Sequence, residues 1–302
     1  MNATEISFGI MFLLQISIGV SVNVFLLLFY SRMASIRSKF SSTDLILGHL
    51  VLANSIILIT NGIPEIMTAW GLRNFLGNVG CKILIYLYRV ARGLAICTTC
   101  LLSIFQAITI SPSTSRWAGV KAKLPNCIIP SCVLFWILNL IIDFETLMNI
   151  MGPQNSNSSF RIMLDLKYCS KVSTSAETTL IISTVLSLRD LLFVGLMGAA
   201  SGYMMLVLHR HHRQVQHLHG PGHSPRAMPE VRAAKKVIAL VTLYVLLFGR
   251  QSIMLSIILN MKEKSPLLVN CHIVLGFTFS AFSPFLMIHG DRRMRIIQKR
   301  ES

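Results

Sequence analysis

Four arginines, Arg89, Arg92, Arg189 and Arg250, lie within stretches that are otherwise apolar, and three carboxylates, Asp143, Glu145 and Asp190, lie in comparable surroundings. An ionisable side chain in hydrocarbon costs several kcal/mol, so it normally faces other protein groups and marks either an ion-pair network or a ligand path. The first reading is an interhelical network that holds the helices together. The second is a polar pocket, in which the one cation in excess of the acids engages an anionic or hydrogen-bond-accepting ligand. Arg189 and Asp190 are neighbours in sequence, and side chains at i and i+1 do not face each other on a helix, so each is expected to pair across to another span. The polar loops hold neither a nucleophile beside a base nor a metal-ligand spacing, which argues against an enzyme and implies no cofactor or metal.

Seven apolar stretches carry these charges, at about 6-30, 43-68, 79-110, 125-150, 177-208, 235-260 and 267-289. Each exceeds the roughly 20 residues a helix needs to cross a bilayer core. Composition agrees, since 53% of the chain is hydrophobic and only 13% charged, too little to cover a water-facing surface. The expected fold is an all-α membrane protein, one seven-helix bundle spanning residues 1-302 and embedded in the lipid bilayer.

The net charge of +16 raises the question of nucleic acid, but the placement of the charges answers it otherwise. Seventeen Lys and Arg fall in 31-42, 111-124, 209-236 and 290-302, against 7 in the alternate loops. Cationic loops stay in the cytoplasm, which predicts an outer N-terminus and an inner C-terminus, with no nucleic-acid partner. The first stretch has no Lys or Arg before it and is longer than a signal-peptide core, so it reads as a retained span. Counted from the outer ends of their spans at 1.5 Å per residue, Arg92, Arg189 and Arg250 lie at about the same depth, roughly 15 to 18 Å. Tyr88 and Arg92 follow Cys81 on one helical face, and Arg89 is rotated from that line by about 80°.

Of 7 cysteines, Cys97, Cys100, Cys127 and Cys132 fall in spans, where a thiol behaves as a small hydrophobe. Cys97 and Cys100 have redox spacing but no βαβ context. Cys81 and Cys169 lie on the outer, oxidising side, where a bond would tie loop 151-176 over the bundle mouth, with Cys271 as a competing partner. The same loop holds a glycosylation sequon at Asn157, and Asn2 begins a second one close to the membrane.

On the inner side, 209-236 is rich in His and Arg, which suits an anionic leaflet or a docking surface better than a metal. Gly198 and Gly202 have the spacing of close helix packing inside a bundle. Pro64, Pro130 and Pro284 each remove a helical hydrogen bond and are expected to bend their helices.

These spans with the Cys81/Cys169 candidate pair resemble a G-protein-coupled receptor. Several stretches resemble more narrowly the type 1 vomeronasal (pheromone) receptor family. They are Arg89-Val90-Ala91-Arg92-Gly93, then Thr98-Thr99-Cys100-Leu101-Leu102-Ser103 running into Phe105-Gln106-Ala107-Ile108-Thr109-Ile110-Ser111-Pro112. Ser115-Arg116-Trp117, Trp136-Ile137-Leu138-Asn139-Leu140, the His209 to His219 run, Ser224-Pro225-Arg226 with Pro229-Glu230, and Ser283-Pro284-Phe285 extend the likeness. The resemblance implies a plasma-membrane receptor for small pheromone-like molecules that signals through a heterotrimeric G protein of the inhibitory type.

Where a larger receptor class carries an Asp-Arg-Tyr triplet, this chain has Phe105-Gln106-Ala107. Asn54 replaces the second-helix carboxylate, and a neutral amide is a weak ligand for a hard cation, so bound sodium is not expected. The fifth and sixth spans lack proline, which leaves Gly249 as the nearest hinge, and Arg250 beside it departs from the apolar or hydroxyl residue the resemblance leads one to expect. The expected ligand-binding residues are Tyr88, Arg89, Arg92, Arg189, Asp190 and Arg250, in the outer halves of the spans. Those expected at the G-protein interface are Arg116, Arg210, Arg213, Arg232, Lys235 and Lys236. A transporter with a charge path through the membrane is the competing class, but no broken segments recur at matching places in two halves.

Overall fold

A computed structural model describes residues 3-36, 41-72, 75-112, 117-152, 161-165, 168-173, 176-219, 235, 237-247, 271 and 274-290. Its helices are α1 (Ala3–Ile36), α2 (Ser42–Ala69), α3 (Asn78–Ile110), α4 (Ala118–Ile142), the single turn α5 (Thr146–Asn149) and α6 (Ala176–His219). An apolar helix α7 (Val237–Leu247) and a final helix α8 (Thr278–Gly290) follow. Among the described residues five helices are long and apolar enough to cross a membrane, with two shorter apolar helices at the places of the sixth and seventh stretches. This agrees with a seven-helix membrane receptor.

Burial follows what each helix touches. α3 lies at the centre, with about 72% of its most apolar window buried against α2, α4 and α6. α4 and α6 expose most of theirs, at 22% and 11% buried, and carry Leu, Ile, Val and Phe outward. In water such faces would be a liability, but in a bilayer the acyl chains cover them.

Three expectations are corrected. The fourth span is not one helix to residue 150: α4 stops at Ile142, where the Asp143 amide bonds back to Asn139, and a turn at Asp143–Glu145 leads into α5. The turn directs the Asp143 carboxylate inward. Segment 209-219, read as loop, continues α6 as helix to His219. A Cβ placed on Gly198 or Gly202 would meet nothing within 4 Å among the described residues, so these glycines do not mark a contact between the described helices of the bundle.

The segment between α5 and α6 also contains a small antiparallel sheet that the apolar spacing did not announce, with β1 (Ile150–Met151), β2 (Arg161–Asp165) and β3 (Ser170–Ser173) in the order β1-β3-β2. It is pinned to the N-terminal end of α3 by a disulfide between Cys81 and Cys169, with Cα atoms 5.7 Å apart, which leaves Cys271 free. Cys81, Ile150, Tyr168 and Cys169 form a small buried cluster there, flanked by Phe75, Leu76, Leu84 and Ile85.

Candidate functional site

The buried charges converge where α3, α4 and α6 meet. Asp143, with its side chain 1% exposed, receives Arg89 Nε on one oxygen at 3.0 Å and Arg189 Nη1 on the other at 3.2 Å. Arg189 Nη1 also donates to Asn139 Oδ1 at 3.1 Å, and Arg189 Nη2 lies 3.0 Å from Asp190 Oδ1. Asp190 Oδ2 is 3.6 Å from Arg92 Nη2. Arg189 and Asp190 thus do meet, against expectation. The i,i+1 rule concerns where Cβ atoms point, and a guanidinium on its long stem folds back far enough to reach the neighbouring carboxylate while still spanning to α4.

Local sequence makes room for this cluster at Gly93. A Cβ at that position would lie 1.9 Å from Asn139 Oδ1 and 3.0 Å from Arg189 Nη1, so a side chain there would evict both. The Asn139 carboxamide, 0% exposed, also donates to the Phe135 carbonyl at 2.7 Å. Glu145, the third of the expected acids, accepts from Asn149 within its own turn. Among the described residues two carboxylates, Asp143 and Asp190, thereby serve three arginines, Arg89, Arg92 and Arg189.

At Arg92 the cluster borders a cavity of about 50 Å³, lined also by Tyr88, Tyr244, Leu247, Phe279 and Ser280 among others. Arg92 keeps 39% of its side chain accessible, against 22% for Arg89 and 9% for Arg189. Tyr244 stacks edge-on against Phe279 at 4.9 Å, which ties α7 to α8 on the far wall. Tyr168, in the segment between α5 and α6, is 2% exposed; its hydroxyl donates to Asn61 Oδ1 on α2 at 3.2 Å and its ring rests on Phe75. Burial, reinforced by the nearby Glu65 carboxylate, pushes the Tyr168 hydroxyl above its usual range.

Of the expected ligand residues, Tyr88 and Arg92 line the cavity, while Arg89, Arg189 and Asp190 are joined in the charge cluster beside it. Arg250 lies outside the described residues, as does the Asn157 sequon. Of the residues expected at the G-protein interface, Arg210 is exposed on α6 and Lys235 is exposed just before α7. Arg213 belongs to the α6 helix, its side chain outside the described set, and Arg116, Arg232 and Lys236 also fall outside it. Sequence reasoning missed Gly93, Asn139, Tyr168 and Tyr244. Tyr244 had a signal as a polar-tipped aromatic within an apolar stretch and Asn139 as an amide within another, and Gly93 and Asn139 both fall in the stretches that carry the family resemblance.

A polar cluster and a cavity held among long apolar helices, with a disulfide-bonded loop tied to the N-terminal end of α3, define a multi-pass membrane protein. The sequence profile of the vomeronasal organ pheromone receptor family matches residues 6–299. The chain is 39% identical over 296 residues to vomeronasal type-1 receptor 3 of Homo sapiens, covering 97% of this chain and 94% of the relative. It is 36% identical over 281 residues to vomeronasal type-1 receptor 4 of Homo sapiens, with 93% of each covered. To olfactory receptor class A-like protein 1 of Danio rerio it is 34% identical over 288 residues, 95% of this chain and 90% of the relative. The chain belongs to the vomeronasal type 1 receptor family, a family of chemosensory G-protein-coupled receptors and not of enzymes.

Proposed function

We propose that this receptor sits in the plasma membrane, binds a small pheromone-like molecule between α3, α7 and α8, and answers through an inhibitory-type heterotrimeric G protein. The observation that carries the reading is Arg92, a partly accessible cation facing a cavity between Tyr88 and Tyr244 at mid-membrane depth. A guanidinium there offers donors in a low-dielectric setting, where a charged or accepting group on a ligand gains most. Around it, Leu247 and Phe279 supply the apolar wall a lipophilic body needs.

The cavity is smaller than the roughly 300 to 1,000 Å³ that drug-sized ligands occupy. Occupation therefore requires α7 and α8 to move relative to α3, and a ligand that binds the opened arrangement better shifts the population toward it. Movement of α7 carries its inner end with it, where exposed Lys235 lies, with Arg210 exposed on α6. These cations, with Arg116, Arg213, Arg232 and Lys236, form the proposed G-protein contact, and Arg250 joins the ligand contacts from the sixth span.

The test is a cell-based screen of volatile and steroid-like compounds read through several G proteins, followed by Arg92→Glu on each responding compound. Loss of response with wild-type surface expression supports the pocket. An unchanged response in a well-expressed Arg92→Glu receptor refutes it, and uptake of compounds without nucleotide exchange refutes the receptor reading.

A further inference from the structure

α3 ends where Pro112 follows Ser111, because the residue before a proline is held out of the helical region. Ser111 accordingly leaves the helix in an extended conformation. The last carbonyls of a helix have no donor from the helix itself, and Ser111 serves two of them. Its N–H donates to the Ile108 carbonyl at 3.2 Å and its Oγ to the Ala107 carbonyl at 2.9 Å. Two other helices hold the same residue, which is 3% exposed. Lys121 Nζ of α4 donates to the Ser111 carbonyl at 3.4 Å, a cation at the negative end of the helix dipole. The Tyr203 hydroxyl of α6 lies 2.9 Å from Ser111 Oγ. A serine hydroxyl has one proton, and the Ala107 carbonyl takes it, so Tyr203 is the donor across the joint.

α6 therefore makes polar contact with α3 at two levels. At one, Asp190 holds Arg92 at 3.6 Å within the charge cluster. At the other, about 20 Å further along α6 by the helical rise, Tyr203 meets Ser111. Met197 and Met204, both 0% exposed, lie beside these contacts in the core cluster that α3 also fills. Unbranched thioether side chains readjust at small cost, so the polar contacts set the position of α6. This end of α3 is also where Phe105-Gln106-Ala107 stands in place of an Asp-Arg-Tyr triplet. No side chain of that triplet is ionisable, and the Ala107 carbonyl instead anchors the chain of hydroxyls.

We propose that Tyr203 and Ser111 form an uncharged latch that sets the resting position of α6 against α3, with Ser111 as the positioning residue. Its consequence for signalling rests on the receptor reading above. A ligand that draws Arg92 toward the cavity weakens the first contact and leaves Tyr203–Ser111 to hold α6. When that bond opens, the end of α6 beyond Tyr203, where Arg210 is exposed, is released toward a partner. A neutral hydrogen bond shifts such an equilibrium by about two- to tenfold, enough to bias it without fixing it.

The experiment is hydrogen–deuterium exchange of the purified full-length receptor without ligand, mapped by mass spectrometry over residues 198-212. Tyr203→Phe and Ser111→Ala are each expected to speed exchange there by about two- to tenfold, and the double variant to go no further than either one. Unchanged exchange in both single variants overturns the latch. So does acceleration that multiplies in the double variant, since the two hydroxyls would then act separately. If Ser111→Ala does not fold, Tyr203→Phe, which removes a single oxygen atom, decides by its exchange rate. Basal nucleotide exchange on an inhibitory-type G protein is measured beside it and is expected to rise in the same variants, a gain that mere destabilisation does not give. A fall below wild type, in a variant that keeps the wild-type melting temperature, overturns the latch as a hold on the resting state. If exchange over 198-212 accelerates while neither wild type nor variants act on any G protein tested, the latch stands and the receptor reading fails.

Discussion

Arg189 on α6 and Asp143 at the end of α4 are joined at 3.2 Å with side chains 9% and 1% exposed, and this pair is the centre of the bundle's polar joint. Asp143 also holds Arg89 of α3, so one carboxylate ties three helices. Removing it leaves two guanidinium groups in a low-dielectric site without their partner, a loss of about 3 to 5 kcal/mol for a buried pair. Asp143→Ala is expected to lower the melting temperature of the purified receptor and to abolish surface expression in cells, and the double variant Asp143→Leu/Arg189→Met to recover part of both. Wild-type melting in Asp143→Ala would show that the pair is dispensable.

Gly93 is expected to tolerate no side chain while Asn139 keeps its place. The added Cβ of Gly93→Ala would lie 1.9 Å from Asn139 Oδ1, and overpacking of this kind costs about 1 to 3 kcal/mol. Shortening the obstructing side chain in Gly93→Ala/Asn139→Ala should return part of the lost melting temperature. Two substitutions whose losses simply add would place Asn139 elsewhere.

The Cys81–Cys169 bond closes a segment of 88 residues in sequence, and a crosslink of that span contributes about 4 kcal/mol by restricting the unfolded chain. Cys81→Ser and Cys169→Ser are each expected to deplete surface receptor, and the double variant to be no worse than either one. Cys271→Ser, whose thiol is free, should express as wild type. Antibody staining of unpermeabilised cells measures all four.

Tyr168 makes stability fall at high pH. Its hydroxyl is held above the ordinary value near 10 by burial and by Glu65, so the folded protein keeps a proton that the unfolded chain releases. The contribution is therefore complete below about pH 10 and declines above it, by about 1.4 kcal/mol per pH unit. Melting curves between pH 8 and 11 should show a steeper alkaline decline in wild type than in Tyr168→Phe. Parallel curves would mean that the loop residue is solvated.

The helices were legible because hydrophobic length is a local property. α2 (Ser42–Ala69) and α3 (Asn78–Ile110) begin and end within a residue of the stretches at 43-68 and 79-110. The end of α4 was not legible, because Asp143 and Glu145 interrupt an apolar run only weakly and the turn there is favoured by partners on α3 and α6. The strands at 150-151, 161-165 and 170-173 were hidden for a related reason: they are short, and the Cys81–Cys169 bond that ties their segment to α3 was one that spacing left open between Cys169 and Cys271.

From its sequence alone the chain determined that charges lie buried at one depth, that arginines outnumber acids there, and that Tyr88 and Arg92 share a face, since composition and helical period fix all three. Which arginine borders the cavity was decided only in three dimensions. Arg89, Arg92 and Arg189 are chemically identical, and Asp143, Asn139 and the bare backbone at Gly93 draw two of them into the helix joint while Arg92 remains at the cavity wall. The same holds for Asn23 and Ser280, 257 residues apart, because a carbonyl released by Pro284 acquires a donor only when α1 packs against α8.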